Sequence, residues 1–208
     1  MRKQGKDRRE RAAVQARGGR RPTATRDRVL PAAGRILRRQ GYSRLTMERV
    51  ASESGVAKTT LYRHWPTKAA LCMDLYLDIS GRELHLPDTG DVAGDLKHIA
   101  DTVVHLQTRT VAGPAFLGLI AEALVNPDTR AAFLAEFAER RREVTRAVLR
   151  RAIQRRQIRA DTDIDLFIDA LGGAVTFRLL QSHAPLTTRF TNALIMLLLA
   201  GCSTKESQ

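Results

Sequence analysis

The side chains best suited to chemistry lie in one short segment, Lys58–Trp65, with the sequence Lys-Thr-Thr-Leu-Tyr-Arg-His-Trp. In a helix, Ala57, Leu61 and Trp65 fall at i, i+4 and i+8, so we expect them to form an apolar inner stripe. The polar side chains between them must then face outward. This arrangement is typical of a helix that binds a polar partner with one face.

The outward side chains suit the edges of base pairs in a DNA groove. Thr59 and Thr60 are short, so the backbone can approach a base, where the hydroxyl forms a hydrogen bond and the methyl meets thymine. Arg63 adds a guanine contact by the same logic. Tyr62 and His64 flank this face, although a half-buried aromatic ring and a surface imidazole that merely close a small domain are the alternative.

A capped helix and a tight turn precede this segment. Thr46 is the predicted cap of the preceding helix, and Glu48 places a negative charge in its first turn. The helix should end at Glu53-Ser54-Gly55, where Gly55 supplies a left-handed turn. Helix, turn and second short helix together predict a helix-turn-helix.

The end of the second helix also has local signals. Pro66 should stop it, because the residue before proline disfavours helical dihedrals. Thr67 then caps a further helix that runs to about Ser80. The start is weaker, since Ala57 offers no side-chain cap and forfeits roughly 1 kcal/mol.

The sequence from Leu45 to Lys68 resembles the helix-turn-helix of the tetracycline-repressor (TetR) family, many of whose members have Ser or Thr in place of Ala57. The resemblance implies that Thr46, Tyr62, His64 and Lys68 hold phosphates on both flanks. It also implies a homodimeric repressor that a small-molecule effector releases from a near-palindromic operator on double-stranded DNA. The predicted DNA-binding residues are Thr46, Lys58, Thr59, Thr60, Tyr62, Arg63, His64 and Lys68.

Composition agrees with an anionic partner. The 208 residues include 35 Lys or Arg and 22 Asp or Glu, for a net charge of +13 and a pI near 10.9. Residues 1–24 alone hold nine Lys or Arg and two acids, a net charge of +7, and we expect a disordered basic arm. One interpretation of the arm is a solubilising or vector-derived leader. The other is that Arg20 and Arg21 of the arm reach into a DNA minor groove.

The apolar residues follow a helical period, so we predict an all-α fold. Residues 25–80 should form a three-helix helix-turn-helix domain, and residues 91–201 a helical ligand-binding and dimerisation domain beyond a loop at 81–90. In the first helix, capped by Thr25 and ending near Gln40, Pro31 predicts a bend or a late start. The five predicted C-terminal helices are Asp91–Thr108, Val111–Asn126, Asp128–Gln157, Asp163–Ser182 and Leu186–Ala200.

The last two of these helices are candidates for dimerisation. Asn192–Ala200 is apolar nearly all round, so it needs cover from a partner subunit or, alternatively, from the core of its own chain. The segment Leu171–Leu180 also resembles the family's dimerisation helix. A four-helix interface would hold the recognition helices roughly 34–36 Å apart. The predicted interface residues are Leu171, Gly172, Val175, Leu179, Leu194, Leu197 and Leu198.

The remaining helices should enclose the effector pocket that the resemblance implies. His98, Asp101 and His105 share one stripe at i, i+3 and i+7, which offers polar handles to a ligand. The alternatives are that these histidines are solvated, buried in the core or bound to a metal. Because no two histidines are spaced i, i+4, as a helical metal site favours, we predict no metal, and we predict no cofactor. The predicted pocket residues are His98, Asp101, Thr102, His105, Phe116, Phe133 and Phe137.

Other classes of function fit the sequence less well. A Gly-rich phosphate loop, a nucleophile elbow and a paired His and Cys arrangement are all missing from the sequence, so we do not expect an enzyme. The arginines between Arg140 and Arg159 alternate with Glu136, Glu139 and Glu143 and predict a solvated face instead of a second nucleic-acid patch. An architectural or membrane-surface module is a third possibility. Unpaired Cys72 and Cys202 and the lack of a long apolar run favour a soluble cytoplasmic protein without a membrane partner.

Overall fold

The structure is a computed structural model that describes residues 23–83 and 86–203. Within those ranges the chain is all α, as predicted, with ten α-helices, a 3-10 turn at Tyr42–Arg44 and a π-helical turn at Leu134–Ala138. The predicted basic arm lies outside the described residues, apart from its last two positions. In chain order the helices are α1 (Thr23–Gln40), α2 (Met47–Ser54), α3 (Lys58–His64), α4 (Lys68–Glu83), α5 (Val92–Arg109), α6 (Ala112–Val125), α7 (Pro127–Phe133), α8 (Glu139–Gln154), α9 (Ile164–Gln181) and α10 (Thr188–Gly201).

Helix α1 starts earlier than the sequence predicted. It begins at Thr23, so Thr25 lies inside the helix and is not its cap, and the helix continues past Pro31 without a late start. Pro31 deletes the hydrogen bond to the carbonyl of Asp27, but both residues lie on the exposed side, where water can replace the donor. Packing of the opposite face stabilises the helix. The buried residues of that face are Val29, Leu30, Ala33, Ile36 and Leu37.

The predicted helix boundaries around the tight turn are confirmed. Thr46 Oγ1 accepts a 3.3 Å hydrogen bond from the Arg49 backbone N–H, and Thr67 Oγ1 accepts a 3.0 Å bond from that of Ala70. Gly55 ends α2 with φ 63° and ψ 24°, the left-handed conformation that glycine adopts without strain. Local signals were sufficient here because each cap bonds only to its own first turn.

Two hydrophobic cores organise the chain. The first joins α1–α4 to the end of α5 and to α6, through residues such as Leu106, Ala115, Phe116 and Leu119. The second joins the start of α5 to α8, α9 and α10, through residues such as Leu96, Leu149, Phe167 and Ile195. Helix α6 therefore packs on α4 and also contacts α1 and the Tyr42–Arg44 turn that precedes the helix-turn-helix.

The predicted helix Asp128–Gln157 is three consecutive pieces. Asn126 caps α7 by accepting hydrogen bonds from the backbone N–H groups of Asp128 and Thr129, and Pro127 occupies the first helical position. The π-helical turn Leu134–Ala138 then separates α7 from α8. Such turns accommodate one extra residue per helical turn and occur often where a helix borders a site.

Over the described ranges, no single helix is both long enough and apolar enough to cross a membrane. The pair α5 and α6 meets those length and composition criteria only when the two are taken together, and they are bent by 87° at their junction.

Candidate nucleic-acid interface and ligand cavity

Helix α3 has the predicted inner and outer sides. Leu61 and Trp65 are fully buried, while Thr59 and Arg63 are exposed and Tyr62 is 43% exposed. The described side chains of Thr60 and His64 are half-buried at the edges of that face, and Lys58 is exposed at its start. The helix therefore presents a short polar and basic surface to solvent.

One residue of the predicted inner stripe is misplaced. Ala57 is exposed, because it precedes the first turn of α3 with φ −59° and ψ 139° and no longer follows the helical period. Its neighbour Val56 packs into the core instead, with 9% exposure. The expected lack of a side-chain cap at Ala57 is confirmed.

The buried end of α3 is fastened to two other helices. Trp65 Nε1 donates a 2.9 Å hydrogen bond to Asp74 Oδ2 on α4. Arg26 of α1 donates to Asp74 Oδ1 at 3.4 Å and to Asp78 Oδ1 at 2.7 Å. This partly buried network fixes the recognition helix to α1 and α4, so its orientation depends on α4.

Helix α1 also holds the tight turn between α2 and α3. Arg28 Nη2 donates a 2.9 Å hydrogen bond to the Gly55 carbonyl, and Arg35 Nε pairs with Glu53 Oε1 at 2.7 Å. A side chain at Gly55 would meet the Arg28 guanidinium at 2.7 Å. The conformation of the turn thus favours glycine, and an added side chain would also displace the Arg28 guanidinium.

A second link joins the outer faces of α2 and α3. The Tyr62 hydroxyl donates a 3.1 Å hydrogen bond to Glu48 Oε1. The Glu48 backbone N–H at the start of α2 and this hydroxyl lower the pKa of Glu48, and the carboxylate raises the pKa of Tyr62. The Tyr62 hydroxyl can donate a hydrogen bond to a phosphate only if its bond to Glu48 breaks. The sequence did not reveal the bond to Glu48, because the two residues are 14 positions apart.

The flanks of the polar surface carry further basic residues. Lys68 is half-buried, and its Nζ lies 4.4 Å from the centroid of the Tyr42 ring. Arg44 and Arg49 are exposed beside the cap Thr46, and Arg49 donates a 3.4 Å hydrogen bond to the Arg44 carbonyl. Neither arginine is among the DNA-binding residues predicted from the sequence, although basic residues on either side of a helix cap were a usable signal.

A cavity of about 720 Å³ lies between α4, α5, α6, α8 and α9. Two of the predicted walls line it, Phe116 and Phe133, whose ring centroids are 6.1 Å apart. Tyr76 is 6.1 Å from Phe116 on the other side. The side chain of Phe137, the third predicted wall, lies outside the described residues. The cavity volume is in the range that holds a drug-sized ligand.

The predicted polar handles do not line this cavity. His98, Asp101 and His105 are exposed on the other side of α5, and Thr102 Oγ1 bonds to the His98 carbonyl of its own helix. The helix is rotated so that its apolar positions face inward, because their burial outweighs any gain from the histidines. The α5 residues that line the cavity are Ile99, Ala100, Val103 and Gln107.

Gln107 is not among the pocket residues that the sequence predicted. It is only 7% exposed and continues the stripe of Ile99 and Val103 at i+4 spacing. A polar residue at an apolar position of a helical stripe was the available signal.

Helix α9 has two apolar faces. One lines the cavity through residues that include Ile168, Leu171, Val175 and Leu179. The opposite face is exposed, and its residues Leu166, Phe177 and Leu180 are 65%, 58% and 50% exposed. On α10 the neighbouring residues Met196 and Leu197 are 51% and 70% exposed. These five residues form the exposed α9–α10 face.

Only part of the predicted dimer set lies on that face. Leu197 does, whereas Leu171, Val175 and Leu179 line the cavity, and Val175 is buried. Of the others, Gly172 is exposed at the cavity edge, and Leu194 and Leu198 are half-buried. The sequence could not separate the two faces of α9, because both are apolar.

Acids engage several arginines of α8, as predicted, but the face is only partly solvated, since the side chain of Arg150 is 57% exposed and that of Arg146 is 13% exposed. Arg142 and Arg146 donate to Asp165 of α9 at 3.0 and 2.8 Å, and Arg142 also pairs with Asp169. Arg146 additionally reaches Glu139 and Glu143 at 2.9 and 2.7 Å. The network fastens α8 to α9 beside the cavity. Among the residues described, no group of three or more His, Cys, Asp or Glu side chains is arranged to hold a metal ion.

Two family models match the chain. The model "Bacterial regulatory proteins, tetR family" covers residues 29–74, and "Tetracyclin repressor-like, C-terminal domain" covers residues 86–198. The first match spans α2 and α3, and the second spans the exposed α9–α10 face and the cavity lining except for its α4 residues.

Individual proteins are similar as well. The chain is 28% identical over 181 residues to the HTH-type transcriptional regulator YdeS of Bacillus subtilis, covering 86% of this chain and 90% of that protein. It is 45% identical over 74 residues to the HTH-type transcriptional repressor DrrR1 of Streptomyces coeruleorubidus, covering 35% of this chain and 27% of that repressor. A crystal structure of the TetR family transcription regulator SCO0332 has a similar fold, with a TM-score of 0.73, and its sequence is 40% identical to this chain. The match covers 86% of this chain and 98% of the SCO0332 chain.

Proposed function

Because this chain belongs to the tetracycline-repressor (TetR) family of transcriptional regulators, we propose that it represses transcription until a small apolar molecule releases it from a near-palindromic operator. The observation that carries the proposal is the orientation of α3. Its leucine and tryptophan are buried, and its short polar side chains meet solvent. A helix with such a face can enter a major groove.

Contacts with the operator divide into two kinds. Thr59, Thr60 and Arg63 lie on the outward face of α3 and would meet base edges, which determine sequence preference. The flanking residues would contact phosphates, which fix the position of the protein on the duplex. That second group comprises Thr46, Lys58, Tyr62, His64 and Lys68, to which the geometry adds Arg44 and Arg49.

A homodimer is part of the proposed mechanism. The exposed α9–α10 face carries several large apolar side chains, and a second copy of the chain is a self-complementary cover for it. A two-fold axis through that face would pair two α3 helices for one operator, with half-sites about one DNA turn apart.

The effector would bind in the cavity and act on α3 through two helices. Helix α4 contributes Tyr76 to the cavity and Asp74 to the anchor of Trp65. Helix α6 contributes Phe116 to the cavity and packs on α4, α1 and the Tyr42–Arg44 turn that precedes the helix-turn-helix. A ligand that prefers one arrangement of α4 and α6 shifts the population of DNA-binding orientations.

The proposal is tested by operator binding across salt concentrations, with an operator selected from a random DNA pool. We expect Thr60→Ala to weaken binding to the selected operator more than to random DNA. Lys58→Ala should weaken both and reduce the salt slope by about 1. Arg159→Ala, which removes an exposed charge remote from α3, is the control. Unchanged affinity and salt slope in Thr60→Ala and Lys58→Ala would contradict the assignment.

A further inference from the structure

The wall of the cavity contains one buried polar atom without a partner. Gln107 is 7% exposed, and no described residue forms a hydrogen bond with its Oε1 atom. The other end of the same amide, Nε2, donates to the Tyr76 hydroxyl oxygen at 3.4 Å. Buried side-chain oxygens of this kind are rarely left unpaired in folded proteins. The atom therefore lacks a donor in a side chain that lines the cavity.

The surroundings of Gln107 define the rest of the ligand. Tyr76, Phe116 and Phe133 form a continuous row of rings with centroids 6.1 Å apart at each step. The Arg141 guanidinium carbon lies 5.7 Å from the centroid of the Phe116 ring, which adds a cation to this wall. Offset stacking and cation–π contacts both favour an aromatic ligand beside these rings.

Besides Arg141, two charged residues, Arg142 and Asp169, border the cavity, and these two pair with each other. Arg142 also pairs with Asp165. Most of the other lining side chains are apolar. Specificity must therefore come from shape and from the few polar atoms that face inward.

We propose that the cavity binds an aromatic, largely apolar molecule whose hydroxyl or N–H group donates a hydrogen bond to Gln107 Oε1. This inference rests on the proposed function, since it names the chemical class of the effector. An analogue without the donor leaves the amide oxygen buried and unpaired, so the site should discriminate against it by about tenfold or more.

The test compares two fluorescent probes, 1-hydroxypyrene and 1-methoxypyrene, which share a ring system and differ in the donor. Titration of the full chain should show 1-hydroxypyrene binding about tenfold or more tightly. Gln107→Leu should reduce that preference to less than about threefold, because the acceptor is gone while the apolar volume is kept. Gln107→Glu, which retains an acceptor oxygen, should restore the preference. Thr102→Val, on the side of α5 away from the cavity, is the matched control and should keep it, and circular dichroism checks that each variant is folded.

Three results would overturn the inference: equal binding of the two probes by the wild-type chain, a preference that survives in Gln107→Leu, or no binding of either probe. Operator binding by the same wild-type preparation, measured without probe, separates this inference from the proposed function. If the operator is bound and the probes show no preference, only the ligand class is wrong. If no operator is bound, the proposed function fails whatever the probes do.

Discussion

The hydroxyl of Tyr42 donates a 2.6 Å hydrogen bond to Glu122 Oε2, which joins the turn before α2 to helix α6 across 80 residues of sequence. Burial and then this hydrogen bond raise the pKa of the Tyr42 phenol. Lys68, at the start of α4, lies over the same ring. One side chain therefore contacts both helices that connect the cavity to the DNA-binding surface.

The close approach of α6 to Tyr42 predicts a large effect of Gly118→Ala. A Cβ atom there would lie 2.0 Å from Tyr42 Cγ, so the ring must move and the bond to Glu122 must lengthen. We expect the free energy of unfolding to fall by about 1–3 kcal/mol, although alanine favours the helix. Urea denaturation measures the change. Gly81→Ala on α4, where nothing lies within 4 Å, is the control and should not destabilise. Equal stabilities of the two variants would contradict the packing described here.

The exposed α9–α10 face predicts the effect of charge on oligomeric state. Leu197→Lys and Phe177→Lys should convert the dimer to monomer, because each would bury a lysine without a partner in the interface. Sedimentation velocity measures the oligomeric state of each variant. Leu124→Lys provides a matched control, since Leu124 is 74% exposed on α6 and outside that face. If only the Leu124→Lys variant dissociated to monomer, the result would show that the interface lies on α6 and not on the α9–α10 face.

The missing cap at Ala57 predicts a stabilising substitution. Ala57→Ser should add a side-chain acceptor for the free N–H groups in the first turn of α3 and raise the free energy of unfolding by about 0.5–1 kcal/mol. The backbone already has the extended ψ of 139° that a cap requires. Calorimetric melting temperature is the measurement. Ala57→Val adds volume without an oxygen atom and should give no gain, so a rise in both variants would point to packing instead of capping.

The two cysteines should differ in reactivity. Burial raises the pKa of the Cys72 thiol to about 12, so at pH 8 it stays protonated, and only the thiolate attacks disulfide reagents. We expect a thiol reagent to modify one residue quickly, Cys202, and to reach Cys72 only after denaturation. Cys202→Ser should remove the fast phase, and a fast phase that persists would show that Cys72 is accessible.

The raised pKa of Cys72 also determines how its contribution to the free energy of unfolding changes with pH. A folded pKa near 12 compared with an ordinary value of 9.0 means that the unfolded chain loses this proton first as the pH rises. The contribution of Cys72 to stability is therefore complete below pH 9 and declines between about pH 9 and 12. Comparison of the pH dependence of unfolding in the wild type and in Cys72→Ala isolates this contribution.

The sequence predicted the elements whose signals are local. Thr46, Gly55 and Thr67 set boundaries through bonds within one turn of the chain, and α3 has one apolar and one polar side, so its orientation followed from its period. The rotation of α5 was not predictable in the same way. Its histidines form a helical stripe as regular as the apolar one, and the apolar stripe is the one buried against α6, α8 and α10.

Contacts between residues far apart in the sequence also could not be predicted. The bond between Tyr62 and Glu48 and that between Tyr42 and Glu122 depend on how separate helices meet. Helix α9 was ambiguous for a different reason. Its cavity side and its exposed side are both apolar, so periodicity alone did not show that Val175 lines the cavity and Phe177 is exposed.

Because those two sides belong to a single helix, a dimer built on the α9–α10 face would place its two cavities back to back. Only the width of α9, about 10 Å with side chains, would separate a bound molecule from the neighbouring subunit. Filling the first cavity would press on a wall that the second subunit shares, so release from the operator would respond to concentration more steeply than independent binding allows.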